Sequence, residues 1–311
     1  MRRAATWLVV GAVLVVGGVA VVEVFSRDGG KAPTEREPAV TSPRDLPAQL
    51  EASGARGLLY MTIEESAGCE LRAVRLPTLD VESSFRIPDC RFAVAPNGLV
   101  ATGHDCARPG SLVNLDGAVI DVFNGCAPAW KPSGELTFVH DGAVLDVPRD
   151  CASTVDDCAE VELSKGQLRQ GLRGPDKRAT LREIAWLDSR RMAAVLRGRG
   201  DFVAVFEDGE LIAPPSFGTD TLTGLTADRA RRRFLVVGGE TQGAFELDDQ
   251  GQFEDTFSAP AVFVQSAAVG PDGTWAAAAA RATVVVFQTG DPPGRAFQLP
   301  FKAEALAWRE P

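Results

Sequence analysis

The sequence predicts an all-β fold: a six-bladed β-propeller closed by its N- and C-terminal strands, preceded by one transmembrane helix and a flexible linker. Three observations carry this. First, an apolar pair, a turn rich in Pro, Asp or Gly, and a second apolar run recur about every 40 residues, the period of a repeat architecture. The copies begin at Ala93-Val94-Ala95-Pro96-Asn97-Gly98, Ala129-Trp130-Lys131-Pro132-Ser133-Gly134, Ala185-Trp186-Leu187-Asp188-Ser189, Gly224-Leu225-Thr226-Ala227-Asp228, Ala268-Val269-Gly270-Pro271-Asp272-Gly273 and Ala307-Trp308-Arg309-Glu310-Pro311. Second, each internal copy leads into further runs rich in apolar, β-branched or aromatic residues, with Gly or Asp at their ends. Third, the two ends of the repeat region are complementary halves of one unit. A regular series of short strands with turn signals also fits a β-sandwich.

The chain begins with an uncharged run, Ala4 to Val22, behind Arg2 and Arg3. About 20 apolar residues span a bilayer as a helix, and positive flanks stay cytoplasmic. The expectation is a cytoplasmic tail over residues 1–3, a signal anchor over 4–25 and a C-terminal domain outside the cell membrane. A cleaved signal peptide is the alternative, with Gly18 and Ala20 before the cut. The run passes Ala20 and, across Glu23, extends to Val24 and Phe25, which favours the anchor. No Cys lies near it, which excludes a lipid-modified cysteine. Residues 26–56, punctuated by Gly29-Gly30, Pro33, Pro38, Pro43 and Pro47, read as a flexible tether, with a helical turn near Ala48 to Ala52.

The propeller is expected over residues 57–311. In a four-stranded blade the repeat phrase supplies the inner strand and first turn. Second strands read Leu99 to Thr102, Leu136 to Val139, Met192 to Leu196, Phe234 to Val237 and Trp275 to Ala280. Third strands read Phe202 to Phe206, Ala244 to Leu247 and Thr283 to Phe287. Gly57 to Ile63, Leu71 to Leu76 and Ser84 to Ile87 lack an inner strand. Ala305 to Trp308 is an inner strand with nothing after it. Joined, they complete a blade and remove the free edges of the ring. The long interval from Trp130 to Trp186 holds an insertion, with helical spacing over Ser164 to Leu172.

The phrase resembles the repeat of TolB-type and related WD-like propellers, a tryptophan followed by Ser-Pro-Asp-Gly. Trp130-Lys131-Pro132-Ser133-Gly134 and Val269-Gly270-Pro271-Asp272-Gly273 carry the likeness. The copies at Trp186 and Leu225 lack the Pro and Gly. The resemblance spans residues 57–311. It implies the fold and protein binding in the cell envelope, and it transfers no catalytic residue.

The cysteines are Cys69, Cys90, Cys106, Cys126, Cys151 and Cys158. An even count in an exported chain reads as a disulfide framework. Cys69 and Cys106 fall in loops between second and third strands, and Cys90 and Cys126 in the blade connections that follow, on the same face. The expected pairs are Cys69–Cys90, Cys106–Cys126 and Cys151–Cys158, with Cys90–Cys106 as a rival. No His accompanies Cys151 and Cys158 at metal-binding spacing, so neither a metal nor a cofactor is expected.

The net charge of −10, from 32 Lys and Arg against 42 Asp and Glu, disfavours nucleic acid as a partner. The densest basic run, Arg229 to Arg233, falls in one expected turn. His104 and His140 each precede an Asp in equivalent turns, which suits turn formation better than general-base work. No Gly-x-Ser-x-Gly, His-Glu-x-x-His or phosphate loop occurs. Asp248-Asp249-Gln250-Gly251 reads as a hairpin turn rather than a calcium loop, and Arg199-Gly200-Asp201 as a loop rather than an adhesion tripeptide.

Asp105, Asp141, Arg199, Glu240 and Arg281 occupy equivalent loops of successive blades and form the candidate binding face. Without a catalytic constellation, the first functional expectation is a non-enzymatic, membrane-anchored protein-binding module with envelope or membrane proteins as partners. A small-ligand-binding propeller is the second. A hydrolase or lyase at the propeller mouth is the third, and it requires two facing carboxylates there.

Overall fold

The computed structural model describes residues 45–310, apart from 67, 105, 171, 173–178, 213–216, 220, 239–242, 258–263, 281–282 and 290–293. The expected anchor over 4–25 and the tether up to residue 44 lie outside the described residues. Among the described residues no helix is long and apolar enough to cross a membrane.

Six antiparallel sheets follow one another along the chain. Blade 1 consists of Ala305–Arg309, Gly57–Glu65, Gly68–Leu76 and Asp80–Ile87, from inside outward. Blade 2 contains Phe92–Val94, Val100–Thr102, Gly110–Val113 and Val119–Phe123. Blade 3 contains Cys126–Trp130, Leu136–His140, Ala143–Val147 and Glu160–Leu163. In blade 4, Thr180–Trp186, Arg191–Arg197 and Asp201–Glu207 are followed by two short strands, Glu210–Leu211 and Phe217–Thr219, both paired to Asp201–Glu207. Blade 5 runs Leu222–Asp228, Arg233–Gly238, Gly243–Leu247 and Phe253–Phe257. Blade 6 runs Val264–Val269, Trp275–Ala280, Thr283–Gln288 and Ala296–Leu299.

The ring closes through blade 1, where Leu58 pairs with Arg309 and Thr62 with Ala305. Buried Thr62 ties three segments together. Its hydroxyl donates to the Cys90 carbonyl (2.9 Å) and accepts from the Ala305 amide (3.1 Å), and its own carbonyl accepts from Glu304 (2.8 Å). A buried hydroxyl satisfied in both roles avoids the penalty of an unpaired polar group.

The hydrophobic core is divided among the blade-to-blade interfaces. In Trp275–Ala280, Ala276 and Ala278 face Leu235 and Val237 of blade 5. Ala277 and Ala279 face Leu59 and Met61 of blade 1. This is the period-two alternation of a strand buried on both sides. Methyl-sized side chains let the larger Leu, Val and Phe of the neighbouring blades fill the gap.

The repeat's tryptophans fix neighbouring segments through their indole N–H groups while their rings also line the central channel. The Trp130 indole donates to the Ala93 carbonyl of blade 2 (3.2 Å), and Trp186 donates to Thr137 of blade 3 (2.7 Å). Trp308 donates to the Arg56 carbonyl (3.0 Å), where the chain enters the ring.

The tether expected over 26–56 is folded at its C-terminal end. Leu46–Ser53 forms helix α1, with Pro47 in its first turn and left-handed Gly54 (φ 84°) capping its end. Leu46 and Leu50, spaced i, i+4, are buried against Leu59, Met61, Val74 and Leu76. The proline that suggested a linker is instead a helix-start residue.

The insertion of blade 3 holds two short helices, α2 (Val155–Cys158) and α3 (Lys165–Arg169). The latter falls within the expected helical stretch and starts on a Ser164–Gln167 capping box. The disulfides are Cys69–Cys90, Cys106–Cys126 and Cys151–Cys158, so the rival Cys90–Cys106 pairing does not form.

Candidate functional site

All six inner strands run in the same direction around a central channel. Their first residues, the blade connections and the loops between second and third strands define an upper face. Their last residues and the first hairpin of each blade define a lower face. The channel and its mouths enclose about 590 Å³, within the range of a ligand-sized cavity. Much of the lining is small or backbone: Ala93, Ala129, Ala185, Gly224, Ala227, Ala267 and Ala307.

Two opposite charges meet in the channel. Arg91 precedes the inner strand of blade 2, and its Nη1 lies 3.9 Å from Glu183 Oε1 of blade 4. The inner strands of blades 4, 5 and 6 each shift register near their start, between Leu181 and Glu183, Leu222 and Gly224, and Val264 and Ser266. Such bulges re-aim side chains, and here Glu183, Gly224 and Ser266 line the channel. A Cβ on Gly224 would stand 4.0 Å from Arg91 Nη1, so a larger side chain would crowd the guanidinium.

Glu183 is surrounded by protein although water-sized contact still reaches 31% of its side chain. Burial pushes its carboxyl above the ordinary value, while Arg91 and the Leu225 backbone amide pull the other way. The net rise means that a contact of 3.9 Å does not replace the lost water.

The lower mouth carries two arginines of another kind. Arg229 Nε donates to the Trp186 carbonyl (3.3 Å) and Nη2 to the Trp130 carbonyl (2.9 Å). Arg309 Nε donates to Tyr60 Oη (2.9 Å) and Nη1 to the Pro96 carbonyl (3.1 Å), and its guanidinium lies over the Tyr60 ring. Among the described residues neither has a carboxylate within ion-pair distance. The rest of the basic run is neutralised: Arg231 by Asp228 and Glu246, Arg232 by Asp188 and Asp249, Arg233 by Glu246 and Glu254. Nearby protein pushes the Arg229 guanidinium below its ordinary value, although the residue itself stays exposed to solvent.

Of the face expected to bind, Asp105, Glu240 and Arg281 lie outside the described residues. Asp141 and Arg199 are exposed on upper-face turns. Asp141 takes a left-handed conformation (φ 50°), and its Oδ2 lies 3.7 Å from His140 Nε2. The other ring nitrogen of His140 meets the Asn124 carbonyl (2.5 Å). The backbone amide of His104 donates to Asp89 (2.7 Å). Both histidines thus belong to turn networks.

Two motif readings resolve structurally. Asp201 of Arg199-Gly200-Asp201 is buried, gripped by Arg197 (2.6 and 2.8 Å) and accepting the Leu222 amide (2.9 Å). Its carboxylate is a blade-to-blade fastener, hidden from any receptor. Asp248 Oδ1 accepts the amides of Gln250 and Gln252 (2.9 and 2.7 Å), closing a hairpin turn.

Arg91, Glu183, Arg229 and Arg309 were not signalled by motif or spacing. They come from different blades and meet only once the ring closes. Only Glu183 carries a sequence signal, a charge inside the inner strand Thr180–Trp186; Arg91 precedes its strand, Arg229 follows its strand and Arg309 ends its strand.

The fold and its closure define a six-bladed propeller of the TolB-like, WD-like kind. Among solved structures the chain is similar to TolB from Acinetobacter baumannii, at a TM-score of 0.56 and 14% identity, over 82% of this chain and 67% of that one. It is also similar to the Cps50 (Swd1) β-propeller domain of Myceliophteria thermophila, at a TM-score of 0.51 and 14% identity, over 80% of this chain and 86% of that one. No protein-family model matches the chain, and no curated protein matches it in sequence. At these identities the likeness is one of fold.

Proposed function

We propose that the chain is a non-enzymatic protein-binding module, tethered to the cell membrane by residues 4–25, whose propeller works outside the cytoplasm. One observation carries the binding role: an open channel lined by small side chains, with two guanidiniums at its lower mouth that no described carboxylate neutralises. A groove of small residues admits an extended chain, and donors already held in place lower the ordering cost of binding it. The one titratable carboxylate shown in the channel interior, Glu183, faces an arginine rather than a second carboxylate, an arrangement suited to recognition rather than to glycoside hydrolysis.

Two features support the location. The sequence has an apolar N-terminal run behind two arginines. Its cysteines pair as disulfides, which persist in oxidising compartments. Crosslinking the full-length protein in its native membrane, followed by identification of the adducts, tests the proposal. A reproducible envelope protein is expected. A blank from abundant, folded protein rejects the reading.

A further inference from the structure

The contrast among the arginines is chemical. The chain carries a net charge of −10, and many of its described arginines pair with carboxylates. Arg72 pairs with Glu70, Arg190 with Asp208, and Arg191 with Glu207 and Asp249. Arg229 and Arg309, from blades 5 and 1 at the lower mouth, bond instead to carbonyl groups and a phenol. A guanidinium has five N–H donors. Arg229 spends one on Nε and one on Nη2, leaving three on its terminal nitrogens. Arg309 spends one on Nε and one on Nη1, leaving Nη2 whole.

The carbonyl bonds fix the position of each fork without cancelling its charge. Arg229 remains exposed to solvent, so its unused donors are open to a ligand. The rim between the two is apolar and stiff, made by Pro96, Pro132, Pro271 and Trp308. Glu310 also lines this mouth, and its backbone follows directly on Arg309.

We propose that the lower mouth is a carboxylate-binding site, with Arg229 as its principal anchor and Arg309 as its second, for an extended segment of a partner protein. The proposal rests on the protein-binding reading above and adds the chemistry of what is recognised. Planar guanidiniums favour carboxylates through paired, charge-assisted hydrogen bonds. The carboxylate is either a chain terminus or a Glu or Asp side chain. The proline rim favours backbone that is already extended.

The test uses the full-length chain in nanodiscs, applied to an array of short random peptides. Each sequence is made as the free acid and as the C-terminal amide, and the amides are made with either Glu or Gln at an internal position. The expected result is tighter binding by about tenfold or more for carboxylate-bearing members. Preference for free acids identifies a chain terminus, and preference for the Glu amides identifies a side chain. Arg229→Gln, whose shorter amide can still reach the Trp186 carbonyl, should lose that preference while staying folded by its melting curve. If Arg229→Gln does not fold, Arg309→Gln is read in its place and should weaken the same preference.

Equal binding of neutral and carboxylate members, or a preference that survives Arg229→Gln, overturns the carboxylate site and leaves the protein-binding reading standing. Binding of no peptide at all, together with a blank in the membrane crosslinking, removes both.

Discussion

The Trp186 indole donates to Thr137 Oγ1 at 2.7 Å, and that hydroxyl donates onward to the Ala129 carbonyl at 3.1 Å. One repeat tryptophan is thus bonded to the second strand of the blade before it, which bonds to its own inner strand. Thr137→Val keeps the shape and leaves the buried indole N–H without a partner. It should lower stability by about 1–3 kcal/mol, read by thermal or urea unfolding. An unchanged midpoint would show that the chain of bonds does not couple the blades.

Lys131, only 6% exposed, sits between Asp146 (3.0 Å) and Glu162 (3.1 Å), with its ammonium over the Trp186 ring. Burial raises the Asp146 carboxyl, and Lys131 is the group opposing that rise. Lys131→Met leaves two carboxylates facing each other in a half-buried site. The loss should be about 2 kcal/mol at neutral pH, below the range for a fully buried pair because both acids keep some water. It should shrink as pH falls and the acids take up protons. A gap between variant and parent that is constant with pH would contradict this.

Glu183 and Glu70 should respond to pH in opposite senses. The folded-state pKa of Glu183 is raised, chiefly by burial. Its stabilising contribution is therefore full below the unfolded value and is lost as pH rises through the folded value. Glu183→Gln should match or exceed the parent's melting temperature at pH 8, with the gain fading in acid. Glu70 is held down to about 2, first by its hydrogen bond from Arg72 and then by Ser84. Its contribution is full above the ordinary 4.5 and is lost as pH falls through about 2. Glu70→Gln should cost stability at pH 7 and little at pH 2. Melting curves across pH decide both signs.

The disulfides should differ in weight. Cys69–Cys90 and Cys106–Cys126 join residues 21 and 20 apart. Replacing either pair by Ser should cost about 3 kcal/mol on a loop-closure estimate. Cys151 and Cys158 are 7 apart and should cost less. That short loop holds α2, whose Val155 amide donates to Asp121 Oδ2 (2.7 Å) on the outer strand of blade 2. Removing Cys151–Cys158 should therefore speed hydrogen exchange in Val119–Phe123 more than in the inner strands.

The ring was legible because its signals are local. The expected Trp275 to Ala280 strand is observed with those bounds, and the closing strand Ala305 to Trp308 gains only Arg309. The disulfide pairing followed from the blade map, although Cys69 lies just inside the strand Gly68–Leu76 and Cys126 begins the strand Cys126–Trp130 rather than lying in the expected loop and connection. Helix α1 was expected only as a turn near Ala48 to Ala52 within a tether, because one i, i+4 pair, Leu46 and Leu50, is little periodicity beside Pro47. The channel chemistry was illegible for a different reason. Arg91 and Glu183 are far apart in sequence, and a bulge at Arg182 decides which way Glu183 points. Arg229 looked like part of a solvated basic turn, and only its bonds to Trp130 and Trp186 separate it from Arg231, Arg232 and Arg233.

Site-specific photo-crosslinking in the native membrane tests the central claim most directly. The crosslinking residue replaces Ala227 at the lower mouth in one variant and Val161, exposed on the outer strand of blade 3, in the other. The account predicts a discrete protein adduct from position 227 that is weakened by Arg229→Gln, and none of the same size from position 161. Adducts from 161 alone, or none from 227 in folded, membrane-bound protein, would contradict the channel mouth as the binding site.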